Sequence, residues 1–234
     1  MLPEIGVVGA GRMGISLAHL NSSLGMDTVI IGRPDPTHLR QARDALAASF
    51  SREVRRGRQT QPEAESALAR VQVSSDYAAL ADCEAVIEAV YEELEAKRQV
   101  LSAAEAVMSP RCIYLSATSS IPATFLRAGA QRPARVIVTH YIWPAHRRAL
   151  VEMAAPVDVE PNALEHTLVL LRKQDKQPIR VRDTPGFVVS RVLAAYWSEV
   201  FYLVRDGAPP QQIDNALEAF GWPMGPCRMM DTVG

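Results

Sequence analysis

The sequence predicts an α/β protein, a doubly wound and mostly parallel sheet followed by a smaller all-helical C-terminal domain. Three observations lead there. An apolar run at the start of the chain opens straight into the glycine-rich turn GAGRMG. Short apolar runs then alternate with longer helical ones, the rhythm of βαβ units whose strands pair in parallel. Beyond the DTPG motif at 183–186 the alternation stops and two helical stretches take over.

Each element has its own justification. Residues 5–8 are apolar throughout, as a strand covered on both faces requires. A helix reading ISLAHLNSSLG follows and ends near Gly25, and a second strand occupies 28–31. A long helical pair, 36–58 and 62–70, is broken at Gly57. Strands are expected at 71–73, 85–89, 112–115 and 136–139, with helices between them that include the charged stretch 92–107. A further strand runs through 179–181. The DTPG motif reads as a hinge, because Pro185 disfavours helix at Thr184. A mostly apolar helix, FVVSRVLAAYWSEVFYLVRDG, and a second one at 210–220 complete the chain. The domains are therefore expected at 1–183 and 184–234.

Composition narrows the function. With 234 residues, 48% of them hydrophobic, the chain can bury one large core, or a large and a small one. A formal net charge of −1 gives no support for nucleic-acid binding. No apolar run approaches the roughly 20 residues that cross a bilayer. The N-terminus enters a strand at once, which leaves no room for a signal peptide. Cys83, Cys112 and Cys227 lack metal-type spacing and read as reduced thiols of a cytoplasmic protein, with no metal site expected.

The glycine turn carries the first chemistry. Gly9 allows the tight turn, Gly11 lets backbone approach a pyrophosphate, and Gly14 lets the next helix pack on the strand. That helix would present its first-turn N–H groups to the phosphates. A NAD-binding unit usually ends its second strand with an acid that holds the ribose hydroxyl, whereas a nearby Arg suits a 2′-phosphate. Here Gly32-Arg33 stands at that spot, so NADP is suggested, unless Asp35 takes over the ribose and Arg33 is a surface charge. A second constellation lies downstream. His140, in THYIWPAHRRALVEM, is followed twelve residues later by Glu152. A His near neutrality beside a carboxylate is a proton acceptor, and with a dinucleotide it suggests hydride transfer coupled to proton transfer.

In GAGRMG, VIEAVYEELEAKRQV, SATSS, the segment from His140 to Glu152, DTPGFVVSR and the terminal PMGPCRMMDTVG, the chain resembles the 3-hydroxyacyl-CoA dehydrogenases over nearly its whole length. The resemblance implies a Rossmann-like domain, a helical domain, an active site in the cleft between them, and a homodimer through the C-terminal helices. It implies oxidation of the 3-hydroxyl of an acyl thioester, on CoA or a carrier protein, with NAD as the default cofactor. His140 matches the family's base and Glu152 its partner carboxylate; Ser119 matches the serine that bonds the substrate oxygen, or else is an N-cap before IPATFL. Glu92 and Lys97 fall where the family contacts the nicotinamide half, and Met13 belongs to the cofactor loop with Gly9, Gly11 and Gly14.

Several positions depart from the family. Ala117 stands where the family has Asn in NTSS, Trp143 where it has Asn in HxxNP, and Ser190 where it has Asn before Arg191. Ser can keep one hydrogen bond; Ala and Trp cannot. These losses leave two other readings open: a dehydrogenase of a non-CoA hydroxy acid, of gulonate or carnitine type, and a catalytically weak dinucleotide-binding protein. Trp143 and His146 would narrow the pocket toward a short or unusual acyl group, or Trp143 simply packs in the core. The basic run Arg52, Arg55, Arg56 and Arg58 sits where the family contacts the CoA nucleotide, and equally suits a solvated helix end. The family continues for several helices beyond the motif matching DTVG, so the helical domain is expected to be incomplete at Gly234, which puts the dimer interface in doubt.

Overall fold

The computed structural model describes residues 4–233. Its centre is an eight-stranded sheet formed by β1 (Ile5–Val8), β2 (Thr28–Ile31), β3 (Val71–Ser74), β4 (Ala85–Glu88), β5 (Ile113–Ser116), β6 (Val136–Tyr141), β7 (Leu150–Ala154) and β8 (Gln177–Val181). The spatial order is β3-β2-β1-β4-β5-β6-β7-β8, and β1 to β6 run parallel. The order reverses between β1 and β4, the switch point beside which doubly wound sheets bind ligands. β7 then runs antiparallel to β6, and β8 parallels β7.

Strand β7 is not visible in the sequence pattern. Its centre is Glu152, a carboxylate with no solvent exposure, and a charge in a short apolar run reads as an exposed break. Strand β6 also extends past the expected end at 139 to Tyr141, which places His140 inside the ladder.

Every residue of β1, β2, β4, β5 and β6 is buried, the condition of strands covered on both faces. Ile5, Val7 and Ile30 join one core cluster, while Val8, Val29 and Ile31 join another, as the two-residue strand period demands. Helices α1 (Arg12–Ser23), α2 (Pro36–Arg55), α3 (Gln61–Ala69), α4 (Leu94–Glu105), α5 (Ala123–Leu126) and α6 (Pro161–Lys173) connect the strands. Asp35 caps α2 by accepting from Thr37 N, and Thr60 with Glu63 closes a capping box on α3. Gly57, at φ +66°, supplies the left-handed residue that ends the first arm of the helical pair. Helix α4 begins at Leu94 rather than at 92, which leaves Glu92 in the loop after β4.

The chain divides into two compact units, Met1–Phe187 and Val188–Gly234. The DTPG segment is anchored in the first. Asp183 accepts from Ala123 N at 2.7 Å and Thr124 N at 2.9 Å, so it caps α5, while Gly186 N donates to Ser120 O at 2.9 Å. Phe187 is buried against Ala123, Leu126, Val138 and Ala154 despite a left-handed φ of +45°. A non-glycine residue there costs on the order of 1 kcal/mol or more, and the packed ring offsets it. The second unit holds α7 (Val189–Arg205), α8 (Pro210–Phe220) and α9 (Pro226–Val233). Tyr196 stacks on Trp222, and Asp214 accepts from Cys227 N. Among the described residues no helix is long and apolar enough to cross a membrane.

Candidate active site at the carboxyl edge of the sheet

The glycine turn leaves β1 and enters α1 with little room to spare. A Cβ on Gly9, at φ +113°, would lie 2.4 Å from Ala89 O, and one on Gly14 would lie 1.8 Å from Gly9 O. Gly11 differs, since a Cβ there would meet nothing within 4 Å. It is also the N-cap of α1, and it supplies no side-chain hydrogen bond to the helix start. Tight glycines on either side of an open one, at a helix start without a side-chain cap, make the cradle a pyrophosphate needs. Met13 is half-buried behind this turn and packs on the core.

At the end of β2 the backbone is shaped by Gly32, where a Cβ would come within 2.9 Å of Leu39 Cδ2 and 3.3 Å of His38 Nδ1. His38 Nδ1 is buried without a hydrogen-bond partner, a polar atom awaiting an oxygen at the spot where a ribose belongs. Arg33 is exposed. Asp35 spends one carboxylate oxygen as the cap of α2. The residues present therefore fit a dinucleotide. The sequence pattern did not single out His38, because a lone His in a helical first turn carries no signal.

Beside the turn, β4 and β5 end in a buried ion network. Glu88, with no exposure, accepts from Ser116 Oγ at 2.6 Å, Val90 N at 2.7 Å and Lys97 Nζ at 2.8 Å. Lys97 also pairs with Glu92 at 3.2 Å. Glu92 in turn accepts from Thr118 Oγ1 at 2.5 Å, from Ser119 N and Ser120 N at 3.0 Å each, and from Ser120 Oγ at 2.8 Å. Burial works against the Glu92 anion, but the Lys97 ammonium and the hydroxyl donors outweigh it and hold the carboxyl below the usual range. Lys97, expected at the cofactor, is 2% exposed, with its ammonium held between Glu88 and Glu92. Ser119 is not the N-cap of α5. That place is taken by Pro122 in the backbone, and Asp183 supplies the capping carboxylate, while Glu92 binds Ser119 instead.

His140 and Glu152 are directly opposed Cα partners of the antiparallel β6–β7 ladder. Opposed residues of such a pair point to the same face, which is how twelve residues of separation become one contact. His140 Nδ1 lies 2.7 Å from Glu152 Oε2, and both residues are buried. The Phe187 ring lies 6.0 Å from the imidazole, tilted by 40°. A carboxylate on Nδ1 fixes the proton there and leaves Nε2 as the acceptor. Ser116 pairs with Val138, so Ser119 and His140 leave neighbouring parallel strands at the same edge. Gly9 and Glu92 follow β1 and β4 at that edge too, since Val8 pairs with Glu88.

The eight residues between β6 and β7 are tied to α1 by contacts the sequence does not announce. Arg12 Cζ sits 4.7 Å over the Trp143 ring. Ser16 Oγ lies 2.9 Å from His146 Nδ1, and His146 stacks on His19 at 4.2 Å. Burial pushes His19 down to about 3, with His146 adding to the shift, and pushes His146 down to about 4. Trp143 is 43% exposed, so it is not a core residue. His19, His146, Glu53 and Arg58 line a separate cavity of about 980 Å³. There Glu53 pairs with Arg58 at 3.1 Å and Arg56 at 3.6 Å, so two of the four guanidiniums of the basic run carry a carboxylate partner while staying exposed. Of the positions where the family has Asn, Ala117 packs against the core and Ser190 lies on α7 in the second unit. Among the described residues no group of three His, Cys, Asp or Glu side chains is placed to hold a metal.

Comparison with known proteins agrees with this geometry. Residues 4–184 match the model of the 3-hydroxyacyl-CoA dehydrogenase NAD binding domain, and 186–234 match that of the family's C-terminal domain. Over 231 residues the chain is 35% identical to a fatty acid oxidation complex subunit alpha of Psychrobacter arcticus, covering 99% of this chain but 32% of that protein. Among solved structures, FadB2 of M. tuberculosis superposes with a TM-score of 0.92 at 31% identity, over 100% of this chain and 83% of that one. The (S)-3-hydroxybutyryl-CoA dehydrogenase PaaH1 of Ralstonia eutropha follows at 0.88 and 30%, with coverage of 100% and 83%. Matched over both of its units, the chain belongs to the 3-hydroxyacyl-CoA dehydrogenase family.

Proposed function

We propose that this chain interconverts the 3-hydroxyl and 3-oxo forms of an acyl thioester with a nicotinamide dinucleotide as redox partner. The observation that carries this reading is the buried His140–Glu152 pair at the edge where the glycine turn also opens. A bound nicotinamide supplies the hydride acceptor. His140 Nε2 takes the hydroxyl proton as the carbinol carbon loses hydride, and returns it in the reverse direction. Glu152 stabilises the imidazolium that forms. Ser119, whose backbone N–H and hydroxyl both donate to Glu92, would turn that hydroxyl to the reacting oxygen when the substrate binds. General-base catalysis contributes about 10² to 10⁴ in rate. His140→Gln is therefore expected to lower acetoacetyl-CoA reduction by about 10²-fold or more while NADH binding stays intact. Equal turnover in mutant and parent would refute the assignment.

The finer cofactor preference rests on Gly32-Arg33. With no acid at the end of β2 and an exposed guanidinium beside it, a 2′-phosphate meets no repulsion and one charge-assisted donor. One such contact is worth about 1.5–3 kcal/mol, roughly ten- to a hundredfold in affinity. Binding constants for NADPH and NADH on the parent and on Arg33→Ala decide it. NADPH should bind more tightly to the parent and lose that margin in the variant. A parent that prefers NADH returns the site to the family default.

A further inference from the structure

We infer that Phe187 is a positioning residue for proton transfer: its ring covers the face of the β6–β7 ladder that carries His140 and Glu152 and keeps the imidazole in a dry, fixed seat. The inference rests on the reading of His140 as the base. In this ladder Val138 is paired with Ala154 and His140 with Glu152. Side chains two residues apart on a strand share a face, so the four form one patch, an apolar pair beside the ionisable one. The Phe187 ring packs with Val138 and Ala154, and it lies 6.0 Å from the imidazole, tilted by 40°. That separation falls inside the roughly 4.5–7 Å over which ring pairs attract. Glu152, His140 and Phe187 are all buried. An apolar cover over such a pair excludes water, and the attraction of the carboxylate for an imidazolium is then little screened.

The backbone shows that the ring is held there against its own preference. Phe187 has φ +45°, directly after Gly186 at +74°. Glycine or asparagine would adopt this conformation at lower cost. A bulky residue keeps it only where its surroundings over-determine it, and such outliers gather at functional sites. Here the surroundings belong to the site. Asp183 accepts from Ala123 N at 2.7 Å, Thr124 N at 2.9 Å and Thr124 Oγ1 at 2.6 Å. Gly186 N donates to Ser120 O at 2.9 Å, and Phe187 N donates to Thr184 O at 3.1 Å. The segment 183–187 is thus tied to the turn that follows Ser119, and the strained residue it carries places an aromatic ring beside His140.

The test is single-turnover reduction of acetoacetyl-CoA at saturating NADH by the parent, Phe187→Asn, Phe187→Leu, His140→Gln and the two double variants, with the NADH dissociation constant and thermal midpoint recorded for each. Phe187→Asn suits the left-handed backbone but removes the cover. It should slow turnover about tenfold or more, as a displaced catalytic group does, with NADH affinity kept. Phe187→Leu keeps most of the buried volume and should lose about threefold, the worth of the ring pair. In the His140→Gln background neither substitution should lower the residual rate further, because Phe187 acts through the imidazole. A purely structural role lowers the rate equally in both backgrounds, and that result overturns the inference. So does a Phe187→Leu rate equal to the parent's, which decides the matter even if Phe187→Asn does not fold. His140→Gln turning over like the parent refutes the base itself, an outcome distinct from these.

Discussion

Glu152→Gln isolates the charge in the His140–Glu152 pair. The amide is isosteric, and its oxygen can still accept from the Nδ1 proton, so the tautomer and ring orientation survive. What disappears is the negative charge 2.7 Å from an imidazole that must become cationic during turnover, in a place where Glu152 has no exposure. A hydrogen bond to a charged group is worth about 1.5–3 kcal/mol and a neutral one about 0.5–1.5 kcal/mol, so the difference is about 1–2 kcal/mol. At about 1.4 kcal/mol per decade, turnover should fall roughly 5- to 30-fold. The assay is single-turnover reduction of acetoacetyl-CoA by NADH, with the NADH dissociation constant measured alongside. That constant should not move, because Glu152 faces His140 across the β6–β7 ladder and not the glycine turn. Turnover within twofold of the parent would show that the carboxylate only satisfies a buried imidazole, and the reasoning about imidazolium stabilisation would fail.

Two further expectations follow from the same geometry. Gly14→Ala should destabilise the protein by on the order of 3 kcal/mol, because its Cβ lands 1.8 Å from the Gly9 carbonyl oxygen and only backbone can yield. Gly11→Ala meets nothing within 4 Å and should leave the denaturation midpoint nearly unchanged while weakening NADH about tenfold or more, since its methyl occupies the pyrophosphate cradle; equal effects of the two variants on both readouts would contradict the division of labour. His19 and His146, held near 3 and 4 by burial against an ordinary value of 6.5, favour the folded state as neutral groups. Their contribution is full above about pH 6.5 and is lost as pH falls toward the folded values, by about 2 kcal/mol per imidazole between pH 7 and pH 5. Urea midpoints across that window should drop for the parent and flatten for His146→Leu; a parent whose stability is level from pH 7 to pH 5 would show that the imidazoles are not buried as described.

The doubly wound core was legible because its strands are apolar on both faces and its glycines answer to steric limits that any such turn imposes. Ile5–Val8, Gly9, Gly14 and Thr28–Ile31 sit where periodicity and turn chemistry placed them. His140 and Glu152 were legible as a pair only through residue type and resemblance. That they touch is a property of the β6–β7 register, and β7 escaped notice because a fully buried carboxylate breaks the apolar pattern that marks a strand. The charged residues of α4 illustrate the same limit. Lys97 looks like a helix-surface cation in one dimension, yet in the fold it is buried between Glu88 and Glu92, carboxylates that also bind Ser116 and Ser120 of a different strand end. Arg12 over Trp143, and His19 against His146, join residues more than a hundred positions apart. Local propensity determines which segments become strands and helices. Contacts between distant, chemically unremarked side chains have no period in the sequence, and only the packing of α1 against the loop after β6 decided them.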